Sequence, residues 1–214
     1  MMIYKIREVI KQTPLYDIIR RVKQKRYLRT WEKKGRPVPM PDLMKQKVVK
    51  EYAREFSVQT MVETGTFFGD MIYATKNVFD RIFSIELDPF LCDRAKKRFS
   101  RLHHISIVQG SSAKVLPDIL SDITQPCLFW LDAHYSGGIT ARGETETPII
   151  QELTLIINHP VAEHVILIDD AREFVGLNDY PTIEDLRNLI YKGHPDWIFE
   201  VKNDIIRMHK RRCS

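Results

Sequence analysis

The chain has 214 residues, 43% hydrophobic and 29% charged, a balance that suits one globular domain with a sizeable core and excludes a disordered or fibrous protein. Its longest purely aliphatic runs, such as Val165 to Ile168, fall far short of the roughly 20 residues that cross a bilayer, so no membrane span is expected. The formal net charge of +5 hides an asymmetry: residues 1–50 hold 15 Lys or Arg against 4 Asp or Glu, the remainder 18 against 24.

Cys92, Cys127 and Cys213 are odd in number and lack any C-x-x-C spacing, which fits neither a disulfide framework nor a zinc site. The amino terminus is basic but has no continuous apolar leader. The expected setting is cytoplasmic.

In chain order, Thr13 and Pro14 read as a cap and first helical position. Leu15, Ile18, Ile19 and Val22 then recur at helical spacing among Arg20, Arg21, Lys23, Lys25 and Arg26, which predicts a basic amphipathic helix. Gly35 to Pro41 breaks regular structure, and a helix over Asp42 to Glu55 follows. Residues 1–57 are thus expected to form a basic helical extension, and 58–214 the main domain.

From there, short apolar runs alternate with helical patterns, the signature of a mostly parallel sheet covered on both faces. Strands are predicted near 60–63, 81–86, 105–109, 127–132 and 164–169, with helices near 70–77, 89–99, 112–120, 148–158 and 182–191. Trp197 to Lys202 and Ile205 to His209 are separated only by Asn203-Asp204. That spacing predicts a hairpin, giving a seven-stranded α/β sheet whose last strand runs antiparallel.

Ligands of such sheets bind outside the carboxyl ends of the strands. The first strand ends Val62-Glu63-Thr64-Gly65, with Gly69 four residues on, and glycines there let the backbone turn and approach a ligand closely. A G-x-G-x-x-G dinucleotide loop fits neither register, because Phe67, Thr66 and Thr64 occupy the positions that glycine would need. The second strand ends in Glu86, 21 residues beyond Gly65, where a carboxylate can accept from both hydroxyls of a ribose. Each of these acids alone is also read as structural or as a helix cap; their combination points to nucleoside binding.

The run Val62-Glu-Thr-Gly-Thr-Phe-Phe-Gly-Asp70, followed by Phe83-Ser-Ile-Glu-Leu-Asp88 and by Trp130-Leu-Asp-Ala-His-Tyr-Ser-Gly-Gly138, resembles the class I S-adenosylmethionine-dependent methyltransferases. Within them it is most similar to the bacterial group found with polysaccharide biosynthesis genes. The resemblance covers roughly residues 58–209 and implies a Rossmann-like fold. It also implies that Glu63, Thr64, Gly65, Thr66, Gly69 and Asp70 hold the methionyl part of the cofactor. Glu86, with Leu87 beside it, would hold the ribose, Ser111 and Ser112 the adenine edge, and Asp132 would border the cofactor. Many relatives carry Asp where Ser111 stands.

The fourth and fifth strands end in Asp132-Ala133-His134 and Asp169-Asp170. Three carboxylates massed without a cation would raise one another's pKa, and a divalent ion relieves this; oxygen ligands favour magnesium, manganese or calcium. The cluster is similar to that of metal-dependent O-methyltransferases, which implies Asp132, Asp169 and Asp170 as ligands and a metal that acidifies the acceptor hydroxyl. His134 is a second candidate for removing that proton, with Asp132 beside it. The alternative is that Asp169 or Asp170 caps the following turn and that His134 bonds a loop.

The long polar loop from Tyr135 to Thr147 is placed to cover an acceptor, with Tyr135, Arg142 and Glu144 as candidate contacts or as solvated loop residues. The expected activity is methylation of a hydroxyl on a sugar, glycan or related small molecule, the sugar resting on the resemblance alone. The basic segment would allow contact with phosphates, but the acidic main domain and the absence of an Asn-Pro-Pro-Tyr motif argue against a nucleic-acid methyltransferase. A non-catalytic nucleoside-binding module is the third alternative. The basic helix offers attachment to the inner face of an anionic membrane or to a partner, or packing against its own domain or a second subunit.

Overall fold

The computed structural model describes residues 14–133 and 147–211, with side chains from residue 22 onward. The chain divides into two units, Met1–Lys47 and Val48–Ser214. In the first, α1 spans Pro14–Lys33. It ends as helices commonly do, in left-handed residues: Gly35 and Arg36 have φ of 79° and 61°, and Arg36 N–H returns to Trp31 O at 3.0 Å. The Trp31 indole is buried and donates to Pro37 O. α2 spans Asp42–Glu55, and the division between the two units falls within it.

The second unit is a seven-stranded sheet of order β3-β2-β1-β4-β5-β7-β6. Its strands are β1 Thr60–Thr64, β2 Arg81–Glu86, β3 Ile105–Gln109, β4 Cys127–Leu131, β5 Val165–Ile168, β6 Trp197–Lys202 and β7 Ile205–Lys210. The first five pair in parallel. β7 runs antiparallel to both β5 and β6. The central strands β4 and β5 are buried at every position, because crossover helices cover both faces of a parallel sheet and leave no polar side to alternate toward. These helices are α3 Asp70–Thr75, α4 Pro89–Phe99, α5 Ser112–Ser121 and α6 Ile149–Ile157, with α7 Ile183–Gly193 before the hairpin.

The hairpin turn is built as the sequence predicts. Asn203 and Asp204 have φ of 53° and 63°, the paired left-handed conformation of a type I′ turn that matches strand twist. Thr182 caps α7 through a reciprocal bond with Asp185, satisfying two otherwise orphaned groups. Arg207 of β7 lies over the Tyr52 ring at 5.3 Å, and Phe56 packs on His209 at 4.6 Å, so the end of α2 and the residue after it lie against that strand.

Strand register positions the site. Thr64 lies opposite Ile85 and Leu131, and Leu131 opposite Ile168. The carboxyl ends of β2, β1, β4 and β5 therefore finish level with one another. No helix among the described residues is long and apolar enough to cross a membrane.

Candidate functional site

Beyond β1 the chain turns where only glycine fits. Gly65 has φ of +87°, and a Cβ there would stand 2.4 Å from the Asp132 carbonyl oxygen; the loop therefore lies against the end of β4 because position 65 has no side chain. Gly69 is also left-handed, at +72°, and a Cβ would meet the Phe99 ring at 2.6 Å. Between them, Phe67 takes a positive φ of 48° without being glycine.

Glu86 holds that strained turn in place. Its Oε2 accepts the Phe67 N–H at 2.7 Å and its Oε1 the Asp88 N–H at 2.9 Å. Burial raises its pKa, the backbone donors acting in the opposite direction. A carboxylate has about four acceptor positions, so two bonded oxygens still leave lone pairs for ribose hydroxyls.

Glu63 is buried and accepts from Ser84 Oγ, which is itself 2.6 Å from Thr66 Oγ1. Desolvation pushes its pKa up to about 8; Ser84 lowers it, and the charges of Glu86 and Asp70 raise it further. At neutral pH this carboxyl is mostly protonated, a state that costs less in a dry site than an unpaired charge. Asp70, first in α3, lies 3.4 Å from the Arg98 guanidinium. The Leu87 carbonyl accepts from Gln109 Nε2 at 3.0 Å. Ser111 stands at the N-cap of α5 with no side-chain cap bond, and Ser112 behind it is buried.

Asp132 and Asp169 leave their strands in matching fashion. The Asp132 N–H bonds Thr64 O at 3.0 Å and the Asp169 N–H bonds Leu131 O at 3.1 Å, which continues the parallel ladder one step past the strand ends. Both border a cavity of about 10 Å³, which Thr147, Glu152, Phe174 and Tyr180 also line; that is about the room one water needs. His134, Tyr135, Arg142 and Glu144 lie outside the described residues.

The expected metal ligands are not gathered. Among the described residues no group of three or more His, Cys, Asp or Glu side chains is placed to hold a metal ion. Asp170 has a left-handed φ of 53°, and its Oδ1 accepts from Arg172 Nη1 at 2.8 Å. The same guanidinium bonds the buried Asp204 of the hairpin turn. Asp169 Oδ1 accepts the Asp170 N–H at 2.8 Å. The charge beside Asp170 is thus an arginine two residues on.

One acid escaped sequence reading. Glu152 lies on α6, 1% exposed, at helical spacing with the buried Ile149, Leu153 and Ile156. An acid on the apolar stripe of a helix was the available signal. Burial pushes its pKa up to about 7, and the nearby Ser112 and Thr64 hydroxyls pull the other way. Neither Glu152 Oε1 nor Thr64 Oγ1, both buried, meets a partner at hydrogen-bonding geometry.

No family model matches the chain, and no curated protein matches it in sequence. Solved structures do. The O-methyltransferase TomG from Streptomyces achromogenes, in complex with S-adenosylmethionine, is similar with a TM-score of 0.59 at 17% identity, over 87% of this chain and 88% of that one. An O-methyltransferase from Bacillus cereus, in complex with S-adenosylhomocysteine, has a TM-score of 0.59 at 13% identity, over 88% and 90%. The Podospora anserina methyltransferase PaMTH1, also bound to S-adenosylhomocysteine, has a TM-score of 0.54 at 14% identity, over 89% and 87%. The fold is the Rossmann-like fold of class I methyltransferases. The glycine loop, the strand-end Glu86 and the buried Glu63 occupy the strand ends at which such sheets bind ligands, and this donor set fits a nucleoside bearing an amino-acid tail.

Proposed function

We propose that this chain is an S-adenosylmethionine-dependent methyltransferase that methylates a hydroxyl group, on a sugar, glycan or related small molecule. The observation that carries it is the Gly65 turn seated on the β4 end beside a β2-terminal carboxylate already clamping that turn. Such an arrangement presents backbone and one carboxylate to a nucleoside and offers no glycine-lined pyrophosphate cradle. The O-methyltransferases among the similar structures support an oxygen acceptor, and the resemblance of the three sequence blocks to the bacterial methyltransferase group found with polysaccharide biosynthesis genes supports a sugar.

The cofactor, when bound, supplies a methyl group activated by a cationic sulfur. Glu86 accepts from the ribose hydroxyls, the Glu63 to Asp70 segment faces the methionyl part, and Ser111 and Ser112 edge the adenine. Asp132 and Asp169 border the cavity that receives the acceptor hydroxyl, with Phe174 and Tyr180 closing its apolar side. His134 is the proposed proton acceptor, and Tyr135, Arg142 and Glu144 the proposed acceptor contacts. A divalent ion, where the reaction uses one, would be held by Asp132, Asp169 and Asp170 and would supply acidity to the acceptor hydroxyl; Asp170 bonds Arg172 in this structure. The basic leading segment is proposed as an attachment to an anionic membrane surface or to a partner, a second copy of the chain included.

Titration calorimetry tests the cofactor and mass spectrometry the transfer. S-adenosylmethionine and S-adenosylhomocysteine should bind and NAD should not. Glu86→Ala should weaken binding by roughly 1 kcal/mol or more, the scale of a lost hydrogen bond to a charged group. A labelled methyl group should appear in a glycan or small-molecule fraction of cell extract. Binding of NAD without binding of the methyl donor would overturn the assignment.

A further inference from the structure

Glu152 belongs to two sets of residues at once. Through Thr64 and Ser112 it adjoins the ends of β1 and β3, where the cofactor is proposed to lie. Through the cavity it shares with Asp132, Asp169, Phe174 and Tyr180 it adjoins the place proposed for the acceptor. Methyl transfer requires one part of the cofactor to sit at that boundary: the sulfur bearing the methyl group, which is positively charged before transfer and neutral afterward.

A buried carboxyl oxygen without a partner is costly unless something arrives to satisfy it. No arginine, lysine or histidine lines the described part of this cavity. Resting on the methyltransferase assignment, we propose that Glu152 is a cofactor-site residue whose unpartnered oxygen faces the cationic sulfur of S-adenosylmethionine and makes the site prefer the methyl donor over its neutral product. The low local dielectric strengthens an attraction of this kind well beyond its value in water. A carboxyl whose pKa lies near 7 is available as the anion at neutral pH once a cation is beside it. The neutral product leaves the same oxygen unpartnered again, which favours its release.

The experiment compares three defined ligands on the full-length protein: S-adenosylmethionine, S-adenosylhomocysteine, and an analogue in which an ammonium replaces the sulfonium. All three share the adenosine and the amino-acid tail, so any effect at Glu63, Glu86 or Ser112 cancels in their ratio. Glu152→Gln should cost the two cations tenfold or more in affinity, with S-adenosylhomocysteine changed less than threefold, and Glu152→Asp should recover part of the loss. Equal losses for all three ligands would overturn the proposal and assign Glu152 to the scaffold or to the adenine. Should Glu152→Gln fail to fold, the wild-type ratio and Glu152→Asp decide: no preference for the cations, or an unchanged ratio in the Asp variant, overturns it equally. Failure of every ligand to bind wild type would remove the methyltransferase assignment and this proposal together, whereas binding without discrimination would remove this proposal alone.

Discussion

The two halves of the strand-end surface are built on different principles. On the β1–β2 side, the polar groups are fixed by local backbone: Gly65 lies against the Asp132 carbonyl, and Glu86 spans two main-chain N–H groups, at Phe67 and Asp88. On the β4–β5 side, acids converge from distant segments, Asp169 and Glu152 being 4% and 1% exposed, and Asp170 is neutralised by Arg172 and through it tied to Asp204. A region that must hold an invariant ligand can be preorganised through the main chain. One built from converging side chains has charge states that its neighbours can change.

The largest effect should come from breaking the first half at its tightest point. In Gly65→Ala the new Cβ meets backbone rather than a yielding side chain, at a φ that alanine resists, so the loop must leave the β4 end. We expect cofactor affinity to fall by roughly a hundredfold or more, together with a lower melting temperature, since strain at such a position is among the few causes of large destabilisation. Near-normal binding by calorimetry would mean that the close approach is not what shapes the site.

Acid should weaken the second half first. His164, just before β5, is 1% exposed. Its Nδ1 accepts the Cys127 N–H at 3.1 Å at the start of β4, and Nε2 lies 3.0 Å from His159 Nδ1. The His159 Nε2 in turn lies 3.0 Å from Leu120 O. Accepting from Cys127 leaves His164 with its proton on Nε2, facing His159. Burial, with His159 nearby, pushes the His164 pKa down to about 4. The folded state thus keeps the ring neutral while the unfolded chain protonates near 6.5, so stability is full above 6.5 and falls as pH drops from there toward 4. The loss should reach about 3 kcal/mol. Hydrogen exchange at pH 5 should show β4 and β5 amides losing protection relative to pH 7 before those of β1 and β2; uniform loss across the sheet would remove the distinction.

A smaller effect is expected at Arg172. Its guanidinium joins Asp170, Glu173 and Asp204, and Arg172→Ala leaves the buried Asp204 carboxylate with only main-chain support. Because the arginine is one-third exposed, the cost should be about 1–2 kcal/mol rather than the 3–5 of a fully buried pair, read from chemical denaturation, with cofactor affinity unchanged. Added magnesium should not restore it. Restoration would mean that Asp170, once released, can join Asp132 and Asp169 around a divalent ion.

Much of the first half was legible in the sequence, and little of the second. The glycines, the polar strand ends and the Asn203-Asp204 turn are local signals, each demanded by a dihedral or a period that the chain satisfies without help from distant residues. The metal expectation rested on Asp132, Asp169 and Asp170 ending adjacent strands, which is true of their backbones. What the sequence did not show is the pairing of Asp170 with Arg172, which depends on how the β5 loop meets the hairpin, across 32 residues of sequence.

By itself, then, the sequence determined the strand and helix order, the hairpin, the turn after β1 and the acid at the end of β2. Alternating apolar runs have few ways to bury both faces of a sheet, and turns of this kind admit few residues. Tertiary structure alone decided which acids are buried and what each one meets: Glu63 held mostly protonated beside Ser84, Asp170 paired with Arg172, and Glu152 carried by α6 to the cavity it shares with Asp132 and Asp169. Burial and charge state are properties of surroundings, and these surroundings are assembled from strands and helices far apart in the chain.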